Sequence, residues 1–144
     1  MLKRNINRLV IHCSATPEYR WVDSREIKAW HMANGWKNIG YHYVILLDGT
    51  VEKGRPESVQ GAHVKGYNSM SIGICYVGGI DNNGKPKDTR TNAQMEAMEN
   101  LIYDLLEKYP KAKIMGHNEF PGVKKACPSF DVRKWVNDCD FYDY

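Results

Sequence analysis

TNAQMEAMENLIYDLLEKYPKAKIMGHNEFPG, residues 91–122, carries a helix start, a helix stop, a strand and a loop in direct succession. Thr91 and Gln94 have the spacing of a reciprocal capping box. Met95, Met98, Leu101, Ile102, Leu105 and Tyr109 then recur at three- and four-residue steps, an amphipathic stripe that reads as core. Pro110 ends the helix. AKIMG follows as a short strand running straight into a loop. A helix that delivers its chain to a strand is the unit of an alpha/beta architecture, and the remaining segments are read against it.

RLVIHCSA (8–15) is β-branched and alternating, with Leu9, Ile11 and Cys13 on one face and Val10 and His12 on the other. DSRE (23–26) has the form of a second reciprocally capped helix start, with Gly35 as its stop. YHYVILLDGTVEKGR (41–55) is two runs about an Asp48-Gly49 turn, a hairpin. SIGICYVGG (71–79) is a buried strand, and GGIDNNGKPKDTRTN (78–92) reads as loop. A last helix is expected over residues 131–137, with Val132, Trp135 and Val136 inward. No repeat or linker interrupts the chain. The expectation is one α/β domain over residues 1–144, a central mixed β-sheet flanked by about three helices.

The totals exclude several classes. No run approaches the roughly 18 apolar residues of a membrane span. The opening MLKRNINRLVIHCSA lacks the apolar centre of a secretory signal, so the chain reads as made in the cytoplasm. Its net charge of +3 is scattered among acids, whereas a nucleic-acid binder concentrates its basic residues. Four cysteines, Cys13, Cys75, Cys127 and Cys139, permit three disulfide pairings, but reduced thiols suit a cytoplasmic product. Cys13 and Cys75 read as small core residues and Cys139 as a free thiol.

The chemistry concentrates in GHNEFPGVKKACPSFD (116–131), a polar loop that holds His117 and Cys127. By itself a loop cysteine is open to three readings: a disulfide half, a spare thiol or a metal ligand. His12 lies near the end of the first strand and His117 just beyond the AKIMG strand. If those strands are neighbours, both imidazoles emerge at one rim. Two imidazoles and a thiolate suit zinc, and three protein ligands leave a fourth tetrahedral position open to water, as in catalytic sites.

His12 in VIHCSAT, Tyr41 in NIGYHYVILLDGTVEKGR, His63 in GAHVKGYNSMSIGICYVGGID, and His117, Lys125 and Cys127 in GHNEFPGVKKACPSFD together resemble the zinc N-acetylmuramoyl-L-alanine amidases. The likeness runs from about residue 9 to residue 136 and preserves motif order. It is nearest the small lysozymes of T-odd phages and extends to the peptidoglycan recognition proteins. The resemblance implies a groove over one sheet face that holds bacterial peptidoglycan or muropeptides. It also implies hydrolysis, by zinc-activated water, of the amide joining the lactyl group of N-acetylmuramic acid to L-alanine. It matches His12, His117 and Cys127 to the ligands of one Zn²⁺, and Tyr41 and Lys125 to catalytic residues. The segment between His117 and Cys127 is two residues longer than in the phage lysozymes, which keeps Lys124 as the alternative to Lys125.

His63 is read as a substrate contact or a structural histidine. Arg55 and Lys65 are read as attracting stem-peptide carboxylates. His42 alternates with Tyr41 and reads as packing, and His31 as surface or core filling on the first helix. Asn68, Ser69 and Ser71 read first as groups that satisfy loop backbone. The competing reading is a recognition module of the same fold that holds muropeptides without cutting them; the presence of Cys127 argues for hydrolysis. The expected partner is therefore the cell wall, reached after release or export by another system. The protein is expected to be a monomer with neither nucleic-acid nor stable membrane association.

Overall fold

Arg8–Cys13, the apolar strand β1, lies one strand in from an edge of a five-stranded sheet in a computed structural model that describes residues 4–142. The reading of the amino terminus as lacking a secretory centre takes in residues 1–3, which lie outside the described residues. Strands β2 (Thr16–Pro17), β3 (Tyr43–Ile45), β4 (Val51–Lys53), β5 (Ser71–Tyr76), β6 (Gly79–Ile80) and β7 (Lys113–Gly116) alternate with helices α1 (Ser24–Ala33), α2 (Asn92–Lys108) and α3 (Val132–Cys139). The main sheet runs β4-β3-β5-β1-β7. β1 lies parallel to β5 and to β7, β3 lies parallel to β5, and only the hairpin strand β4 is antiparallel. The mixed sheet and three helices are as read from the sequence.

Strand alternation sorts the apolar residues onto two faces. Leu9, Ile11 and Cys13 of β1 join Ile72, Ile74 and Tyr76 of β5 beneath α2 and α3 in the larger core. On the other face, Val44, Cys75 and Val77 pack with Ile27 of α1, and Val10 packs with Val64 and Phe120. α1 contributes one buried side chain, Ile27, to this thinner layer. The sheet face on the α1 side is thus left room for polar groups.

Four local expectations are adjusted. The α2 stripe is buried through Gln94, Met98, Ile102, Leu105 and Leu106, while Met95 is exposed. Gln94 lies one turn before Met98 and therefore on the stripe, where its amide donates to the Ile45 and Val77 carbonyls. Trp135 is only half-buried. At α1, Asp23 caps the Glu26 amide, but Glu26 pairs with Arg20 rather than reaching back. The 78–92 loop contains β6, which pairs in parallel with β2, and two-residue strands are too short to carry a period. Gly79 there has φ +105°, and a Cβ on it would lie 2.4 Å from Cys13 Sγ, so only glycine lets this corner close. Among the described residues no helix is long and apolar enough to cross a membrane.

Candidate metal centre and active site

His12 is the penultimate residue of β1, and His117 is the first residue after β7. In the parallel pairing of these strands Ile11 stands opposite Gly116, so His12 and His117 each lie one residue past the last paired position. Their imidazole centroids are 4.6 Å apart. Cys127 arrives from the loop that follows and is fixed by backbone contacts. Asn118 N–H donates to its carbonyl at 2.9 Å, and the buried Tyr76 hydroxyl donates to the next carbonyl, that of Pro128, at 2.6 Å. The Cys127 sulfur lies 3.9 Å from His12 Nδ1. It also accepts a hydrogen bond from the Cys13 N–H at 3.2 Å.

One ligand atom from each of His12, His117 and Cys127 lies within 4.8 Å of the others. Two imidazole nitrogens and a thiolate sulfur are the donor types that a tetrahedral zinc takes. His12 is 1% exposed, and burial, reinforced by His63, His117 and His31, keeps it neutral far below its ordinary range. Burial and the Lys125 charge lower His117 in the same sense. Neutral imidazoles are the ligating form. The hydrogen-bonded Cys13 thiol, together with burial, raises Cys127; a divalent cation between the imidazoles opposes that rise and favours the thiolate.

Tyr41 lies beside this cluster, its ring 5.1 Å from that of His12. Burial first, and then the thiols of Cys75, Cys127 and Cys13, raise its hydroxyl well above the ordinary phenol. The hydroxyl therefore keeps its proton, and its partner in the structure is the Cys75 side chain. Behind Tyr41 stands His31, 5.3 Å away ring to ring. His31 accepts from the Gly40 N–H at 2.9 Å and packs on Trp36, tying α1 to the segment that carries Tyr41.

Lys124 and Lys125 are both exposed, and it is Lys125 whose charge bears on His117. His63 is placed against His12, with 2.8 Å between His63 Nδ1 and His12 Nε2 and 3.1 Å between His63 Nε2 and Ser71 Oγ. Both ring nitrogens are engaged by protein groups, which leaves none for a substrate. Arg55 spends Nε on the Ile39 carbonyl and Nη1 on the Gln60 carbonyl, so it braces two loops. Lys65 is exposed. His42 is buried: it accepts from the Gly73 N–H at Nδ1 and donates to the Val59 carbonyl from Nε2. Asn68 accepts from the amides of His63 and Val64, the backbone-satisfying role expected of it.

The sequence reading missed two groups here. The Cys13 amide aimed at the ligand sulfur had no signal, because every residue carries an N–H. Tyr76 was legible only as an apolar strand residue.

A family model described as N-acetylmuramoyl-L-alanine amidase matches residues 2–130. The endolysin of Enterobacteria phage K11 is 47% identical over 134 residues, covering 93% of this chain and 87% of that protein. The endolysin of Escherichia phage T7 is 47% identical over 133 residues, covering 92% and 87%. The solved structure of N-acetylmuramoyl-L-alanine amidase LysC from Clostridium intestinale URNW superposes with a TM-score of 0.80 at 28% identity, covering 95% of this chain and 87% of that one. With so much of its length matched, and its donor atoms gathered at the sheet rim, the chain belongs to the N-acetylmuramoyl-L-alanine amidase family.

Proposed function

We propose that this single domain is a zinc-dependent peptidoglycan amidase, cutting between the lactyl group of N-acetylmuramic acid and the L-alanine of the stem peptide. The observation that carries the reading is the convergence of His12, His117 and Cys127 at one rim, beside a protonated Tyr41 and an exposed Lys125. A bound zinc ion supplies Lewis acidity and activates water for attack on the amide carbonyl. Two neutral imidazoles and one thiolate offset only one of its two positive charges. The net positive charge that these three ligands would leave would favour negative charge developing on the carbonyl oxygen.

Lys125, two positions before Cys127 and so tied to the centre through the backbone, brings a second positive charge to that oxygen. The Tyr41 hydroxyl, kept protonated by burial, would turn its one proton from Cys75 to an oxygen on the tetrahedral carbon. The protein works as a monomer on the cell wall, which it reaches after release or export by another system; kinship with phage endolysins supports this setting.

Incubation with insoluble peptidoglycan separates cutting from holding. An amidase releases soluble peptide and leaves a glycan residue in the pellet. A recognition module sediments with wall material that is chemically unchanged, and that result would replace the proposed activity.

A further inference from the structure

His63 donates no ligand atom to the centre, yet it is the group against which His12 is set. The polarity of its contacts can be worked out from the outside inward. Ser71 Oγ lies 2.8 Å from the Tyr67 carbonyl, which only accepts, so the hydroxyl proton is committed there. Ser71 Oγ therefore accepts, at 3.1 Å, from His63 Nε2–H. A neutral imidazole protonated at Nε2 has its lone pair at Nδ1. That lone pair accepts, at 2.8 Å, from His12 Nε2–H. His12 is left with its own lone pair on Nδ1, the nitrogen that faces Cys127 Sγ at 3.9 Å.

We propose that His63 is a positioning residue for the metal centre: the relay from the Tyr67 carbonyl through Ser71 and His63 fixes His12 as the tautomer that presents Nδ1 to the ion. The inference rests on the metal-centre reading above. An imidazole ligand whose second nitrogen is held by a protein acceptor is oriented before the ion arrives, and its basicity is raised.

The fold reserves a seat for the His63 ring. A Cβ on Gly73, in the central strand β5, would lie 2.7 Å from His63 Cγ and Cδ2 and 2.8 Å from Nδ1. Glycine at this position lets the imidazole lie directly on the sheet, on the face that carries His12. Asn68 Oδ1 clamps the His63 and Val64 amides at 2.9 Å each, which sets where the side chain departs. A residue that merely filled space would require none of the polarity in this chain of contacts.

The test is zinc affinity, measured by competition with a chelating dye, on the full chain and its variants, together with imidazole NMR of the zinc-loaded protein. His63→Ala should bind zinc about 10- to 100-fold more weakly. His63→Gln, which offers an acceptor toward His12 and a donor toward Ser71, should recover much of that loss. The long-range 1H–15N spectrum should show His12 protonated at Nε2 and metal-bound through Nδ1. Should His63→Ala fail to fold, Ser71→Ala carries the same test with a smaller expected loss. Wild-type affinity in the alanine variant, equal loss in His63→Ala and His63→Gln, or a proton on His12 Nδ1 would each overturn the relay. A wild-type chain that binds no zinc would instead overturn the metal centre itself.

Discussion

Cys127 and Lys125 stand two positions apart in one loop and are expected to fail in different ways when removed. Cys127→Ser replaces a thiolate with a hydroxyl that does not ionise near neutral pH, so tight zinc and activity should vanish together; metal analysis after gel filtration reads this directly. Lys125→Ala should retain its zinc and lose about 10²- to 10³-fold in rate, roughly 2.7–4 kcal/mol of transition-state stabilisation. Full activity in that variant, with the loss appearing in Lys124→Ala, would move the role one residue. Cys127 was open to three readings from its loop alone, because nothing local separates a ligand from a spare thiol. His12 and His117 were more legible, since strand ends put side chains at a rim. The contact of His63 with His12 was not, because it joins residues 51 positions apart and follows from no periodicity.

At the scale of elements, α2 is the most informative case. Its capping box forms as the Thr91 and Gln94 spacing required, with 3.0 Å in each direction. What an apolar pattern misses is that Gln94 does two jobs, since the same side chain satisfies the carbonyls of Ile45 and Val77. Gln94→Ala removes the N3 half of the box and strands the buried Val77 carbonyl, which costs about 1–3 kcal/mol when unmet, while the Ile45 carbonyl keeps the Val77 N–H at 3.0 Å. The urea midpoint should fall by the equivalent of about 2 kcal/mol or more with an unchanged slope. Thr91→Ala loses the cap and the hydroxyl's bond to the part-buried Leu47 carbonyl, and the cap by itself should cost about 1 kcal/mol. A Gln94→Ala midpoint that falls by no more than the cost of a lost cap would make Gln94 only a cap. β2 and β6 lay outside sequence reach for a simpler reason: they pair through backbone atoms over two residues each.

For the whole molecule, the buried polar layer on the α1 face makes stability depend on pH. His42 is 1% exposed, and burial lowers its pKa from 6.5 to about 4. Between those values the unfolded chain binds a proton that the folded chain refuses, so stability is complete above pH 6.5 and falls as pH drops toward 4. The shift corresponds to about 3 kcal/mol at most. Denaturant titrations in chelator between pH 4 and pH 7 should show this slope, and His42→Gln should lower it by the share of one proton, the remainder belonging to His12 and His63, which burial lowers as well; an unchanged slope would assign it to other groups. The alternation of helices and strands made the fold class legible in advance, because binary patterns survive without knowledge of partners. The polar network of His42, His63 and Ser71 was not legible, since each member gains its meaning from contacts across the sheet.

The central claim is that this chain cuts one amide with the help of one metal ion. It is tested most directly by digesting purified peptidoglycan with and without chelator, then labelling new amino termini and identifying the products by mass spectrometry. Stem peptides that begin with free L-alanine, absent after chelation and restored by zinc, are the predicted result. Products with new reducing sugar ends, cuts within the peptide, or release that continues unchanged in chelator would contradict it.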